Sequence, residues 1–311
     1  MQNNITRDIS ALLCLKSDLP NIIEHNIVRS EIKEGYEQQL VIYKNEGSKI
    51  PAFLLIPDNA QNCPAIIIHH QHNGQRNFGK SEVCGLIGDP LQAFGPQLAK
   101  RGFVVLCRDS ICFEDRRINT TGICPLDNDE DFLQHYNEMC YRIIKGDTLM
   151  RTVISDAMAG VTVLENLPYV DKQKVGTLGH SYGGNTVLFL MAIDKRIRYG
   201  CASGCACTFK NRMENRVGIE MASVIPRFYE KYDIDDLVKC IAPNELLIVS
   251  ADDDKYSKDA DFICQQAKSV YADLNSGDNI QHKRYHGGHA LTRDRFDYMV
   301  NWLCDRVEKN I

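Results

Sequence analysis

The 311-residue chain has no excess of positive charge: 36 Lys and Arg against 41 Asp and Glu leave a net charge of −5. Nucleic acid is therefore not an expected partner, because phosphate binding needs a clustered basic face. No apolar run approaches the roughly 18 residues of a membrane span, and Met1-Gln-Asn-Asn-Ile-Thr-Arg-Asp8 lacks the basic segment and apolar core of a secretory leader. These absences predict a cytoplasmic protein with no membrane partner. The spacing of a disulfide framework is missing too. The 13 cysteines fall on predicted strands and helices (Cys63, Cys107, Cys201, Cys264, Cys304), as buried reduced thiols do. Without internal repeats, low-complexity tracts or linkers, the chain reads as a single domain over 1–311, and a homo-oligomer is left open.

What is present is ordinary for a globular protein: 44% apolar and 25% charged residues. Residues from about 1 to 30 have helical apolar spacing around Ile9, Leu12, Leu13 and Leu15, and predict an N-terminal helical extension. Tyr36–Tyr43 and Ile50–Ile56 predict an antiparallel hairpin at a sheet edge, with Pro51 tolerable only near a strand start or an edge. From Pro64 onward, short continuous apolar runs alternate with amphipathic helices, the pattern of a parallel sheet covered on both faces. The strands are expected at Ala65–Ile68, Phe103–Cys107, Val175–Leu178, Gly200–Ser203, Leu246–Ser250 and Gln281–Tyr285. Helices are expected at Leu91–Arg101, Thr148–Asn166, Asn185–Ile193, Asp259–Leu274 and Arg293–Glu308. Two connections, about 109–147 and 208–244, are too long for turns and predict insertions that act as lids or substrate walls.

The chain is organised around Val175-Gly-Thr-Leu-Gly-His-Ser-Tyr-Gly-Gly184. A buried strand enters a G-x-S-x-G turn and leaves as an apolar helix, which is the context that makes the motif a nucleophile elbow. The turn brings the residues on either side of Ser181 together, so Gly179 and Gly183 stand where a Cβ would clash. Ser181 Oγ would then stand clear of the sheet near the positive end of the helix.

A serine hydroxyl needs a base to take its proton, and the base needs a carboxylate to set its tautomer. Both can come from loops that leave later strands. Ala251-Asp-Asp-Asp-Lys-Tyr256 follows one strand, and His286-Gly-Gly-His-Ala290 follows the last. His289 is the expected base, since Gly287-Gly288 can turn the backbone back over the sheet; His286 is the competitor, read as a strand-end histidine satisfied by hydrogen bonds. Among the three acids, Asp252 and Asp254 can face one side of an extended segment, and Asp252 lies nearest the strand end. Asp254 is the expected partner, with Asp253 second.

His69-His-Gln-His-Asn-Gly74 directly follows the strand Ala65–Ile68. A backbone N–H from this loop, with that of Tyr182, would hold an oxyanion; Gln71 is favoured over His72 as the donor. His70 and His72 are expected at the substrate. Neighbouring histidines on an extended segment point to opposite faces and lack a matching ligand pair, so neither a metal nor another cofactor is expected. Cys201, Cys205 and Cys207 are read as packing beside the elbow helix. Arg116 or Arg117 could clamp a substrate carboxylate, against a surface ion pair with Glu114 or Asp115. The stretch 212–239, with Met213, Met221, Ile225, Phe228 and Tyr229, could wall an acyl pocket or simply pack.

Gly179-His-Ser-Tyr-Gly-Gly184, the acidic loop 252–254, Gly287-Gly-His289 and the histidine-rich loop together resemble the α/β-hydrolase superfamily over about residues 35–308. Within it, the chain is similar to dienelactone hydrolase-like and acetyl xylan esterase-like serine hydrolases. The resemblance implies a mostly parallel sheet with an antiparallel N-terminal edge and helices on both faces. It also implies hydrolysis of a small-molecule carboxylic ester through an acyl-enzyme, without cofactor. Dienelactone hydrolases proper use a cysteine nucleophile, so the serine argues against that particular activity. The elbow also resembles that of prolyl oligopeptidase-type peptidases, which keeps a small-peptide or amide hydrolase in view, although no propeller precedes it. The remaining alternative is a catalytically silent binding module on the same scaffold.

Overall fold

The structure is a computed structural model that describes residues 2–16 and 20–308. In chain order the elements are α1 (Gln2–Leu12), β1 (His25–Lys33), β2 (Tyr36–Asn45), β3 (Ser48–Pro57), β4 (Cys63–His69), α2 (Lys80–Val83), α3 (Phe94–Ala99) and β5 (Val104–Arg108). Next come α4 (Asn128–Ile144), α5 (Leu149–Asn166), β6 (Val170–His180), α6 (Tyr182–Ile193), β7 (Tyr199–Ser203), α7 (Phe209–Glu214) and α8 (Ile234–Lys239). The chain then closes with β8 (Glu245–Ala251), α9 (Ala260–Asp273), β9 (Ile280–Tyr285) and α10 (Arg293–Glu308).

The nine strands form one sheet in the order β1-β2-β3-β5-β4-β6-β7-β8-β9. The pairs from β5 through β9 are parallel, and β1, β2 and β3 are antiparallel. This is the α/β-hydrolase architecture expected from the sequence. Strand alternation divides the core. Ala65 and Ile67 of β4, with Val104 and Leu106 of β5, face the layer built on α1, α5, α6, α8 and α9. Ile66, Ile68, Val105 and Cys107 face the opposite layer, with Phe94, Leu98, Phe296 and Leu303 of α3 and α10. β4 and β5 are thus apolar on both faces, and their runs in the sequence are continuous for that reason.

The N-terminal expectation needs correction. Residues 1 and 17–19 lie outside the described residues, but only Gln2–Leu12 of the extension is helical, and His25–Lys33 is a strand. The two residues Glu34-Gly35, with Gly35 at φ +86°, turn β1 directly onto β2. The hairpin predicted at the edge is therefore covered by one more strand. The helix expected at Leu91–Arg101 is shorter, a 3-10 turn at Pro90–Gln92 followed by α3, with Pro96 confined to the first helical turn. The first insertion contains the 17-residue α4, capped by Asp127 Oδ1 on the Glu130 N–H. The second holds α7, capped by Thr208, and α8, closed by a capping box from Asp233 and Asp236. Among the described residues no helix is long and apolar enough to cross a membrane.

Candidate active site

The elbow joins β6 to α6. Ser181 sits between them at φ 56°, ψ −118°, a backbone conformation that costs an L-residue free energy and persists because its surroundings hold it. Its N–H donates to Ser203 O (2.8 Å), and its carbonyl accepts the Asn185 N–H (3.1 Å), which starts the helix. A Cβ on Gly179 would overlap the Gly183 backbone, and one on Gly183 would overlap the His69 carbonyl. The second overlap shows how tightly the elbow is pressed against the loop after β4.

His289 Nε2 lies 2.8 Å from Ser181 Oγ, and His289 Nδ1 lies 3.1 Å from Asp254 Oδ1. Asp254 is buried and also accepts from the Tyr256 N–H (3.0 Å) and from Ser257 Oγ (2.7 Å). Burial alone would raise its pKa, but the bonds and charge of His289, with the Ser257 and Tyr256 donors, hold it below the ordinary value. Asp252 takes a different partner: its Oδ2 lies 2.6 Å from Nδ1 of the exposed His286, and its Oδ1 accepts the Gly287 N–H. Asp253 uses its backbone, donating to Gly287 O. The ring of His289 is flanked by Tyr256 at 5.0 Å and by the buried His180 at 4.9 Å between centroids. His180 stays neutral, its pKa pushed down to about 3, chiefly by burial and then by the charge of His289.

The histidines after β4 separate. His69 is buried, with its pKa well below the usual range because burial disfavours the charged ring. His70 does not reach the substrate cavity, contrary to expectation. It is buried, its Nδ1 contacts Gln71 O (2.7 Å), and its Nε2 accepts the Ser110 N–H (3.1 Å), so it ties two loops together. His72 does line the cavity. The Gly74 N–H donates to its Nδ1 (2.9 Å), which puts the ring proton on Nε2, 2.5 Å from Glu220 Oε2. Gln71 is buried and its side chain donates to Glu82 Oε1 (3.1 Å). Neither its backbone N–H nor that of Tyr182 donates to a protein acceptor among the described residues.

Arg116 and Arg117 also depart from the expectation, since neither lines the cavity. Arg116 pairs with the buried Asp156 (2.7 Å), and Arg117 makes two bonds to buried Asp131 (3.0 and 3.2 Å) while donating to the Pro125 carbonyl. The Arg116 charge ties the first insertion to α5, and Arg117 pairs within the insertion itself. The one group of acids near enough together to hold a metal among the described residues is Asp109, Glu114 and Asp115, and Lys80 Nζ already occupies its centre, bonded to all three. Cys201, Cys205 and Cys207 are buried free thiols packed at the strand end.

Above Ser181 opens a cavity of about 310 Å³. Both insertions wall it: Phe132 from α4, and Arg212 and Gly218–Met221 from the second segment. Of the apolar side chains expected to wall a pocket from the stretch 212–239, Met221 reaches the cavity, Ile225 and Phe228 pack in the core, and Met213 and Tyr229 are exposed. Sequence reasoning missed Arg76, Asn185, Glu220 and Tyr256, which also line it. No local pattern distinguishes these from surface polar residues. Glu220 is held down to about 2: burial pushes it up, but His72, His135 and Arg76 outweigh that. A serine bonded to an imidazole, itself bonded to a carboxylate, beneath a small cavity, is an arrangement able to attack a carbonyl.

Comparison with known proteins agrees with this architecture. The chain is 24% identical to a Bacillus subtilis (strain 168) protein named only as a hydrolase, YtaP, over 94% of this chain and 97% of the relative. A Bacteroides fragilis protein assigned as an acetyl xylan esterase superposes with a TM-score of 0.77 at 15% identity, over 100% of this chain and 87% of that one. A glucuronoyl esterase from Solibacter usitatus gives 0.68 at 14% identity, over 97% and 91%. At such identities these structures establish the fold. The dienelactone hydrolase family matches residues 50–199, and the prolyl oligopeptidase family matches residues 134–296, from α4 through the elbow and both later loops into α10. Because that second match spans more than half of the chain, the protein belongs to the prolyl oligopeptidase family, within the α/β hydrolases.

Proposed function

We propose that the protein is a serine esterase acting on a small-molecule carboxylic ester, with Ser181 as nucleophile, His289 as base and acid, and Asp254 as the carboxylate that orients His289. The observation that carries the reading is the continuous relay from Ser181 Oγ to His289 Nε2 (2.8 Å) and from His289 Nδ1 to Asp254 Oδ1 (3.1 Å) at the floor of the cavity. As Oγ attacks the acyl carbon, its proton passes to Nε2, and Asp254 stabilises the imidazolium. The carbonyl oxygen becomes an oxyanion held by the N–H groups of Tyr182 and Gln71, which are left without protein acceptors. Collapse expels the alcohol, which takes the proton from His289. Water then repeats the sequence on the acyl-enzyme and releases the acid. No step calls for a metal or an organic cofactor.

Membership of the prolyl oligopeptidase family supports a second reading, an amide or small-peptide hydrolase using the same residues. One experiment addresses both. Purified protein is labelled with a fluorophosphonate and assayed on p-nitrophenyl esters of increasing chain length beside aminoacyl anilides. The expected result is labelling at Ser181 and faster ester than anilide turnover, with Ser181→Ala lowering turnover by about 10⁴-fold or more. A Ser181→Ala protein that kept roughly a tenth of the activity would remove the elbow from the mechanism. Absent labelling would favour a silent binding module.

A further inference from the structure

We infer that the ester substrate carries a carboxylate, bound by the Arg76 guanidinium in the wall of the Ser181 cavity; this rests on the esterase reading above. Arg76 is only 5% exposed, yet it lines the cavity. Its Nε donates to Nδ1 of the fully buried His135 of α4 (2.9 Å). Since His135 accepts at Nδ1, its own proton is on Nε2 and the ring is neutral, in keeping with a pKa pushed down to about 4, chiefly by burial. A neutral imidazole fixes the guanidinium without cancelling its charge. The guanidinium carbon rests 5.3 Å from the Phe132 ring centroid, a second support from the same helix.

What is unspent matters most. Nη1 and Nη2 of Arg76 donate to no acceptor among the described residues, whereas Arg116 and Arg117 direct theirs to buried carboxylates. The nearby anion, Glu220, is already committed: Oε2 to His72 Nε2 and Oε1 to the Met221 N–H (3.0 Å). Arg212, also nearly buried, adds a second cation to the lining. It gives Nη1 to Gly218 O (2.7 Å) and lies 5.6 Å from the Tyr256 centroid. Two guanidinium groups against one carboxylate leave the cavity wall positive. The two Nη groups open onto the cavity from a side chain that is otherwise buried, so a ligand there can take up donors that no protein acceptor uses. The planar fork matches a carboxylate, which takes two parallel N–H bonds. Neither insertion alone could build this subsite, because Arg76 comes from the loop after β4 and its supports come from α4.

The test uses matched esters differing only in charge: 4-acetoxybenzoate against its methyl ester, and the p-nitrophenyl half-ester of glutaric acid against p-nitrophenyl valerate. The wild-type protein is expected to prefer the carboxylate-bearing member of at least one pair by about tenfold or more in kcat/KM. Arg76→Gln should lower kcat/KM for the charged member of a pair about tenfold more than for the neutral member, bringing their ratio close to one, and Arg76→Lys should keep part of the preference. Equal rates within both wild-type pairs, or an Arg76→Gln variant that slows charged and neutral esters alike while folded, would overturn the inference and leave the esterase reading standing. If no ester of the four is hydrolysed in a Ser181-dependent way, the esterase reading falls and this inference with it. Should Arg76→Gln fail to fold, the wild-type ratios and Arg76→Lys decide.

Discussion

Asp254 Oδ1 stands 3.1 Å from His289 Nδ1, while Asp252, two positions earlier on the same loop, binds the exposed His286 at 2.6 Å. The two acids differ in depth: Asp254 is buried and Asp252 is not. Replacing Asp254 by Asn should leave the protein folded and strand the imidazole in the wrong tautomer, lowering turnover by about 10⁴-fold. Asp252→Asn should stay near wild type. Side-by-side kcat measurements of the two variants check this; an inactive Asp252→Asn beside an active Asp254→Asn would reverse the assignment.

Glu82 supplies a pH dependence of stability. Burial raises its pKa from 4.5 to about 7, against the opposing bonds from Gln71 Nε2 and the Asp89 N–H. Because the folded state holds this proton more tightly, the unfolded chain sheds its proton first as pH rises. Stability from this group is therefore full below about 4.5 and declines until about 7, where the folded protein ionises too. Glu82→Gln keeps an oxygen for both donors and removes the titration. Urea melts at pH 5 and pH 8 should show the variant gaining on wild type at the higher pH by an amount on the order of 1–3 kcal/mol. An equal difference at both values would count against the assignment.

Arg117 and Asp131 form an ion pair with both side chains buried, 0% and 1% exposed. Arg117→Met strands the Asp131 carboxylate and should destabilise the fold by about 3–5 kcal/mol. Since Arg117 lies outside the cavity, KM of the folded fraction should remain unchanged. Thermal melts together with initial rates test this, and a KM raised tenfold at unchanged stability would return Arg117 to the substrate.

Much of this protein is written in local patterns. Continuous apolar runs specify strands buried on both faces, the 3.6-residue stripes specify the covering helices, and the glycines flanking Ser181 specify a turn that a Cβ would obstruct. The choice among the three acids does not rest on the alternation expected of an extended segment, because Asp252 and Asp253 lie in a turn closed by the Asp254 N–H on Ala251 O (3.3 Å). The β1 strand is legible only through Glu34-Gly35, because its exposed Ile27, Val28 and Ile32 form neither a helical stripe nor an alternating face. The cavity wall belongs to another class of information. Arg76 meets His135, and Glu220 meets His72, only after α4 and the second insertion have folded over the sheet. In the sequence, Arg76, Arg116 and Arg117 are equivalent cations. Tertiary packing separated them: burial compels each charge to find a partner, Asp156 and Asp131 satisfy two of them, and Arg76 is left with a neutral histidine behind it and an open cavity in front.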